Sequence, residues 1–123
     1  MRLYLSVAWL LIVSVAILTP GDSLPEVDVF SFQDKFIHFI CFSILSYLWC
    51  GVGIKPEEKG EFSKRLLTNF LIFGILAGII LESMQQFIPF RTFDYLDMVV
   101  NEIGGIAGFF AYFKLPVTKN TLE

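Results

Sequence analysis

Residues 66–88 read LLTNFLIFGILAGIILESMQQFI, a run in which Glu82 is the one formal charge. A helix needs about 20 mostly apolar residues to cross roughly 30 Å of hydrocarbon, so this run can span with some tilt. Strands that cross a bilayer alternate over about 10 residues, whereas this run is continuously apolar, and helix follows. Three further runs flank it. Leu3 to Leu18 is uncharged, with Ser6 and Ser14 its clearly polar members; Phe36 to Ile54 is uncharged and holds His38; Met98 to Leu115 carries Glu102 and Lys114. Chain breakers separate them: Pro20, Gly21 and Pro25, then Gly53 and Pro56, then Pro89, then Pro116. The expected fold is an all-α membrane protein, one domain over residues 1–123, with four transmembrane helices at about 3–19, 35–54, 66–88 and 97–115. The first run also fits a signal peptide, because Arg2 precedes its apolar core. Thr19-Pro20-Gly21 lacks a small-x-small pattern, however, and a retained first helix is expected.

Composition agrees with a lipid environment: 55% of the residues are apolar and the mean hydropathy is +0.69. Nine Lys and Arg against 12 Asp and Glu give a net charge of −3, which provides no basic field for nucleic acid. Fourteen Phe argue against a disordered polar tract. Orientation follows from the cations in short loops. With the N-terminus inside, Arg2, Lys55, Lys59, Lys64, Arg65, Lys114 and Lys119 are cytoplasmic, which is seven of nine. Lys35 and Arg91 face outward among Asp22, Glu26, Asp28, Asp34, Asp94 and Asp97. The expected topology is N-in, C-in.

That topology gathers polar residues into one layer beneath the outer surface. At about 1.5 Å per residue, His38 lies a few Å below the start of helix two. Asn101 lies about 6 Å below Asp97, and Glu82 about 10 Å below Pro89. Residues three or four apart share a helix face, so Asp34 or Lys35 is expected beside His38, and Glu82 beside Gln85 and Gln86. Asp94, Asp97 and Asn101 form one stripe. Gly74, Gly78 and Glu82 step along helix three, and Asn101, Gly104 and Gly108 along helix four. Both edges contain GxxxG, and close contact of helices three and four is expected. Ser43, Ser46 and Cys50 give helix two a small-residue edge of its own. Cys41 and Cys50, about 13.5 Å apart along one helix, cannot pair in a disulfide.

The block Asp34-Lys35-x-x-His38-Phe39, followed by Glu82-x-x-Gln85-x-Phe87-x-Pro89-x-Arg91-x-x-Asp94-x-x-Asp97-x-x-x-Asn101-x-x-Gly104-x-x-x-Gly108, resembles the VanZ-like family of small bacterial membrane proteins. The resemblance runs from about Asp34 to Phe113. It implies a polytopic bundle in the bacterial cytoplasmic membrane whose namesake is associated with resistance to glycopeptide antibiotics, teicoplanin especially. Its motif positions here are Asp34, Lys35, His38, Glu82, Gln85, Arg91, Asp94, Asp97 and Asn101.

These residues admit two chemical readings. In the first they line an outward-facing pocket for a membrane lipid or lipid-linked envelope substrate. His38, Glu82, Asp94 and Asp97 are then the candidate acid-base groups, and Asp34, Lys35, Gln85, Arg91 and Asn101 the candidate substrate contacts. In the second they lock the bundle through buried hydrogen bonds and serve no chemistry. An ionisable group such as Glu82 within a span costs several kcal/mol unless paired or wet, so either reading demands partners for it. A metal site from His38, Cys41, Glu82 and an Asp is conceivable, but one His and no paired ligand motif argue against it; no metal or other cofactor is expected.

Overall fold

The computed structural model describes residues 2–18, 33–54, 63–88 and 95–114, with side chains of the second stretch described from residue 35. The described residues form four helices and no strand: α1 (Arg2–Leu18), α2 (Gln33–Cys50), α3 (Lys64–Gln85) and α4 (Tyr95–Lys114). Two of them, α3 and α4, are long and apolar enough to cross a membrane, while α1 and α2 are apolar but shorter.

The helix ends differ from the sequence expectation for local reasons. Ser63, extended at φ −134° and ψ 165°, accepts the Leu66 N–H at 3.2 Å and starts α3 at Lys64. The α2 helix stops at Cys50 instead of running to Ile54, because Gly51 to Gly53 form a turn in which Gly53 takes φ +74°. Side chains from elsewhere satisfy its last carbonyls. Arg2 Nη1 donates to Tyr47 O and Leu48 O at 2.9 Å each, and Asn69 Nδ2 donates to Cys50 O at 3.5 Å and, in the turn that follows, to Val52 O at 2.7 Å. The third helix closes at Gln85, followed by turn bonds from Phe87 N–H to Met84 O and from Ile88 N–H to Gln85 O.

Midway, α3 contains a π-helical segment, Phe70–Leu76, whose widened hydrogen bonding ends with Ala77 N–H donating to Ile72 O. Gly74 sits in this segment and Gly105 of α4 lies against its carbonyl, so closely that a Cβ at Gly105 would collide with Gly74 O. Helices three and four therefore do touch, as the small-residue edges imply. The other two glycines of α4 close on a different neighbour. A Cβ at Gly104 would come within 2.7 Å of Phe39 O, and one at Gly108 would run into Ser43 O, both on α2. The most extensive helix pairing is α2 with α4.

Cross-helix bonds fix the directions. Lys35 meets Asp97, His38 meets Asn101 and Tyr47 meets Tyr112, so α2 and α4 run parallel. Asn69 at the start of α3 meets the end of α2, and Arg2 at the start of α1 meets it too, so α1 and α3 run the opposite way. The order is up, down, up, down. Gln85 Nε2 donates to Ile17 O at 3.2 Å and Trp9 Nε1 to Cys41 O at 2.9 Å, which ties α1 to both neighbours. Val13, Ile17, Phe42, Leu45, Trp49, Val52 and Leu81 form the main apolar core, with the Trp49 and Phe73 rings stacked 3.7 Å apart.

Interior and exterior are arranged as a helix in lipid requires. Large apolar residues recur at helical spacing on the outside: Phe36, Ile37, Ile40 and Ile44 on α2, Ile72, Leu76, Ile79 and Ile80 on α3, and Val99, Ile103, Ile106 and Phe110 on α4. The buried interior holds Ser6, Ser46, Asn69, Glu82, Gln85 and Asn101 together with the glycines. Such continuous exposed apolar stripes are unusual on a water-facing surface.

Candidate functional site

Parallel α2 and α4, in direct contact, with α3 packed against both, bring three polar side chains to one end of the bundle. His38 enters from the second turn of α2, Asn101 from the second turn of α4, and Glu82 from the last turns of α3. Glu82 and Asn101 are both fully buried. His38 Nδ1 lies 2.9 Å from Asn101 Oδ1, and Asn101 Nδ2 donates to Glu82 Oε2 at 3.5 Å. An amide aimed this way uses both ends, its NH2 toward the carboxylate and its oxygen toward the imidazole. His38 then donates from Nδ1–H, which leaves the ring's lone pair on Nε2. Asn101, itself bonded to Glu82, thus orients the His38 ring.

A second polar link lies one turn nearer the helix starts. Lys35 Nζ approaches Asp97 Oδ1 at 3.2 Å, with side chains 27% and 15% exposed, so this pair sits between the solvated end and the buried triad. The pairing differs from the same-helix neighbours expected for Lys35, because parallel α2 and α4 align Lys35 with Asp97 across the interface. His38 Nδ1 and Glu82 Oε2 are 3.8 Å apart, beyond hydrogen-bond length. Ligating atoms of His38, Glu82 and Asp97 all fall within 4.8 Å of one another.

Five of the nine motif positions are placed by these contacts: Lys35, His38, Glu82, Asp97 and Asn101. Gln85 is buried at 2% exposure, but the bond described for it reaches the last turn of α1 at Ile17 O, so it holds α1 against the wall behind the site. Gln86 is exposed. The Asp34 side chain, Arg91 and Asp94 lie outside the described residues. Cys41 and Cys50 are both free thiols.

Sequence reasoning missed the polar arrangement at the opposite end. Arg2, read as a topology signal, is 4% exposed, with its guanidinium over the Tyr47 and Tyr112 rings, 5.3 and 5.5 Å from their centroids. The available signal was Gly51, where any Cβ would strike the Arg2 guanidinium. Glu102, one residue from Asn101, turns a buried carboxylate oxygen toward Gly78 of α3.

Comparison with known proteins gives these residues a family. Residues 4–117 match the model of the VanZ/LLP1 family. A 74-residue stretch is 32% identical to "Uncharacterized protein C11E3.10" of the fission yeast Schizosaccharomyces pombe, covering 58% of this chain and 41% of the yeast protein. The chain thus spans about two-fifths of the length of that relative, and the likeness reaches a eukaryote. No solved structure matches. With its all-helical fold, its apolar outer stripes and a family match over nearly the whole sequence, the chain belongs to the VanZ/LLP1 family.

Proposed function

We propose that this VanZ/LLP1 family member crosses the cytoplasmic membrane of a bacterium four times, N-in and C-in. Its outward-facing pocket, built by α2, α3 and α4, binds a lipid headgroup or lipid-linked envelope substrate. The observation that carries the reading is the convergence of His38, Glu82 and Asn101 with the Lys35–Asp97 pair at one end of the bundle. The first turns of α2 and α4 lie at that end, so their positive dipole ends add to Lys35 in favouring an anionic group. The charge reading of the sequence adds Arg91 as a second outward cation. Within the pocket Lys35 and Arg91 hold the anion, and His38 Nε2 is the candidate base, oriented by Asn101 and Glu82. Asp34, Asp94 and Asp97 set the cations, and Gln85 braces the wall. In a cell the consequence is reduced susceptibility to glycopeptides such as teicoplanin.

A rival reading, a non-enzymatic bundle lock, is favoured by one fact: Glu82 and Asn101 are wholly enclosed and bonded to each other. One experiment separates the two. Purified Lys35→Ala, His38→Ala and Glu82→Gln proteins are compared with the native protein for binding of a fluorescent phosphate-headgroup lipid and for thermal unfolding in detergent. The pocket reading expects Lys35→Ala to fold normally and bind roughly 10- to 150-fold more weakly, the loss of one charge-assisted contact of about 1.5–3 kcal/mol. Lipid binding unchanged in Lys35→Ala, with collapsed stability in His38→Ala and Glu82→Gln, would establish the lock.

A further inference from the structure

We infer that His38, Glu82 and Asp97 form a divalent-cation site, with Asn101 Oδ1 as a fourth donor. Bonds from nitrogen and oxygen ligands to ions such as Zn²⁺ are about 2.0–2.2 Å, so the ligands of one ion stand about 3 to 4.4 Å apart. The three side chains already hold their ligating atoms within 4.8 Å of one another, a few tenths of an ångström from closure. The 3.8 Å gap between His38 Nδ1 and Glu82 Oε2 is too long for a hydrogen bond and falls inside that window. At 2.9 Å, His38 Nδ1 and Asn101 Oδ1 have the spacing of adjacent ligands. Each of the three packed helices contributes, so the donors are positioned before an ion arrives.

The donor set selects the ion. One imidazole nitrogen with carboxylate and amide oxygens suits Mn²⁺ or Zn²⁺ better than a thiolate-seeking metal. An ion bound at Nδ1 would leave the ring hydrogen on Nε2, so in the ion-bound form Nε2–H is a donor and the base named above is replaced by the ion's own polarising charge. Lys35, 3.2 Å from Asp97 Oδ1, is the natural competitor, since its ammonium occupies one of the carboxylate oxygens that would face the ion. The inference rests on the pocket reading above and deepens it, because the ion would meet phosphate oxygens of a bound headgroup.

The test uses Mn²⁺ alone, followed by electron paramagnetic resonance and calorimetry, on the purified full chain in detergent. One Mn²⁺ per chain is expected. Asp97→Asn and His38→Ala should weaken it at least tenfold, and Asn101→Ala by about 10- to 100-fold, as loss of a ligand or its support does. Lys35→Met should tighten it several-fold by removing the competing charge. Asp97 is partly exposed, so Asp97→Asn tests the site even if His38→Ala misfolds. Absence of Mn²⁺ binding, or binding indifferent to Asp97→Asn and Lys35→Met, overturns the inference. If the native protein then still binds the phosphate-headgroup lipid in chelator, the pocket reading stands without the ion. Mn²⁺ binding as described but no lipid binding would leave the ion site standing and remove the pocket reading.

Discussion

Asn101 is the residue on which the site turns, because its amide accepts from the imidazole and donates to the carboxylate at once. Replacing it by Leu keeps the volume roughly and strips both bonds, leaving His38 Nδ1–H and Glu82 Oε2 to lose their partner inside the bundle. Asn101→Leu should cost about 1–3 kcal/mol in detergent unfolding, the penalty of buried polar groups that lose a hydrogen bond. An unchanged midpoint would mean that water reaches the triad. That His38, Glu82 and Asn101 belong together was legible from counting residues down alternating helices, since axial rise is fixed at about 1.5 Å per residue. Which partners they take was not legible, because that depends on how each helix is rotated about its axis. Lys35 illustrates this: sequence spacing offers it His38, three residues on, and the rotation of α2 against α4 gives it Asp97.

At the scale of helices, the glycines do two jobs where the sequence announced one. Both GxxxG edges point to a close approach of α3 and α4, and the contact of Gly105 with Gly74 meets that expectation. The motif's own Gly104 and Gly108 instead close on the α2 backbone at Phe39 and Ser43. Consecutive residues on a helix point about 100° apart, so neighbouring Gly104 and Gly105 can serve two partners. A linear motif carries no address for its partner, and α2 supplied a matching edge in Ser43 and Ser46. Gly108→Ala and Gly105→Ala each put a methyl against backbone that has no rotamer to escape into. Each should destabilise the bundle by about 1–3 kcal/mol or more in thermal unfolding. Native-like stability in both would disprove the close three-helix packing.

For the whole molecule the orientation proposed above rests on charge: four of the nine cations fall between Lys55 and Arg65. In a background with Cys41 and Cys50 replaced, a cysteine at Asp28 should react from outside with a membrane-impermeant thiol reagent, and one at Lys59 should not. The reverse pattern would turn the His38 site to the cytoplasm and remove its access to an envelope substrate. Helix order and alternation were readable because apolar run length is set by bilayer thickness, while the inward fold of Arg2 was not, since topology rules treat an arginine as solvated. The π-helical turn at Phe70–Leu76 adds a constraint of a different kind. It stores one surplus residue within a helix whose two ends are both anchored, Asn69 to the end of α2 and Gln85 to the end of α1. Deleting a single residue there would let the turn relax to ordinary α-helix and keep the stretch that carries Glu82 near its present orientation, whereas a second deletion would swing it by about 100° relative to Asn69. The bulge is therefore a reserve of one residue: this segment can lose one and keep the site, and a second gap would disable it with every motif residue still in place.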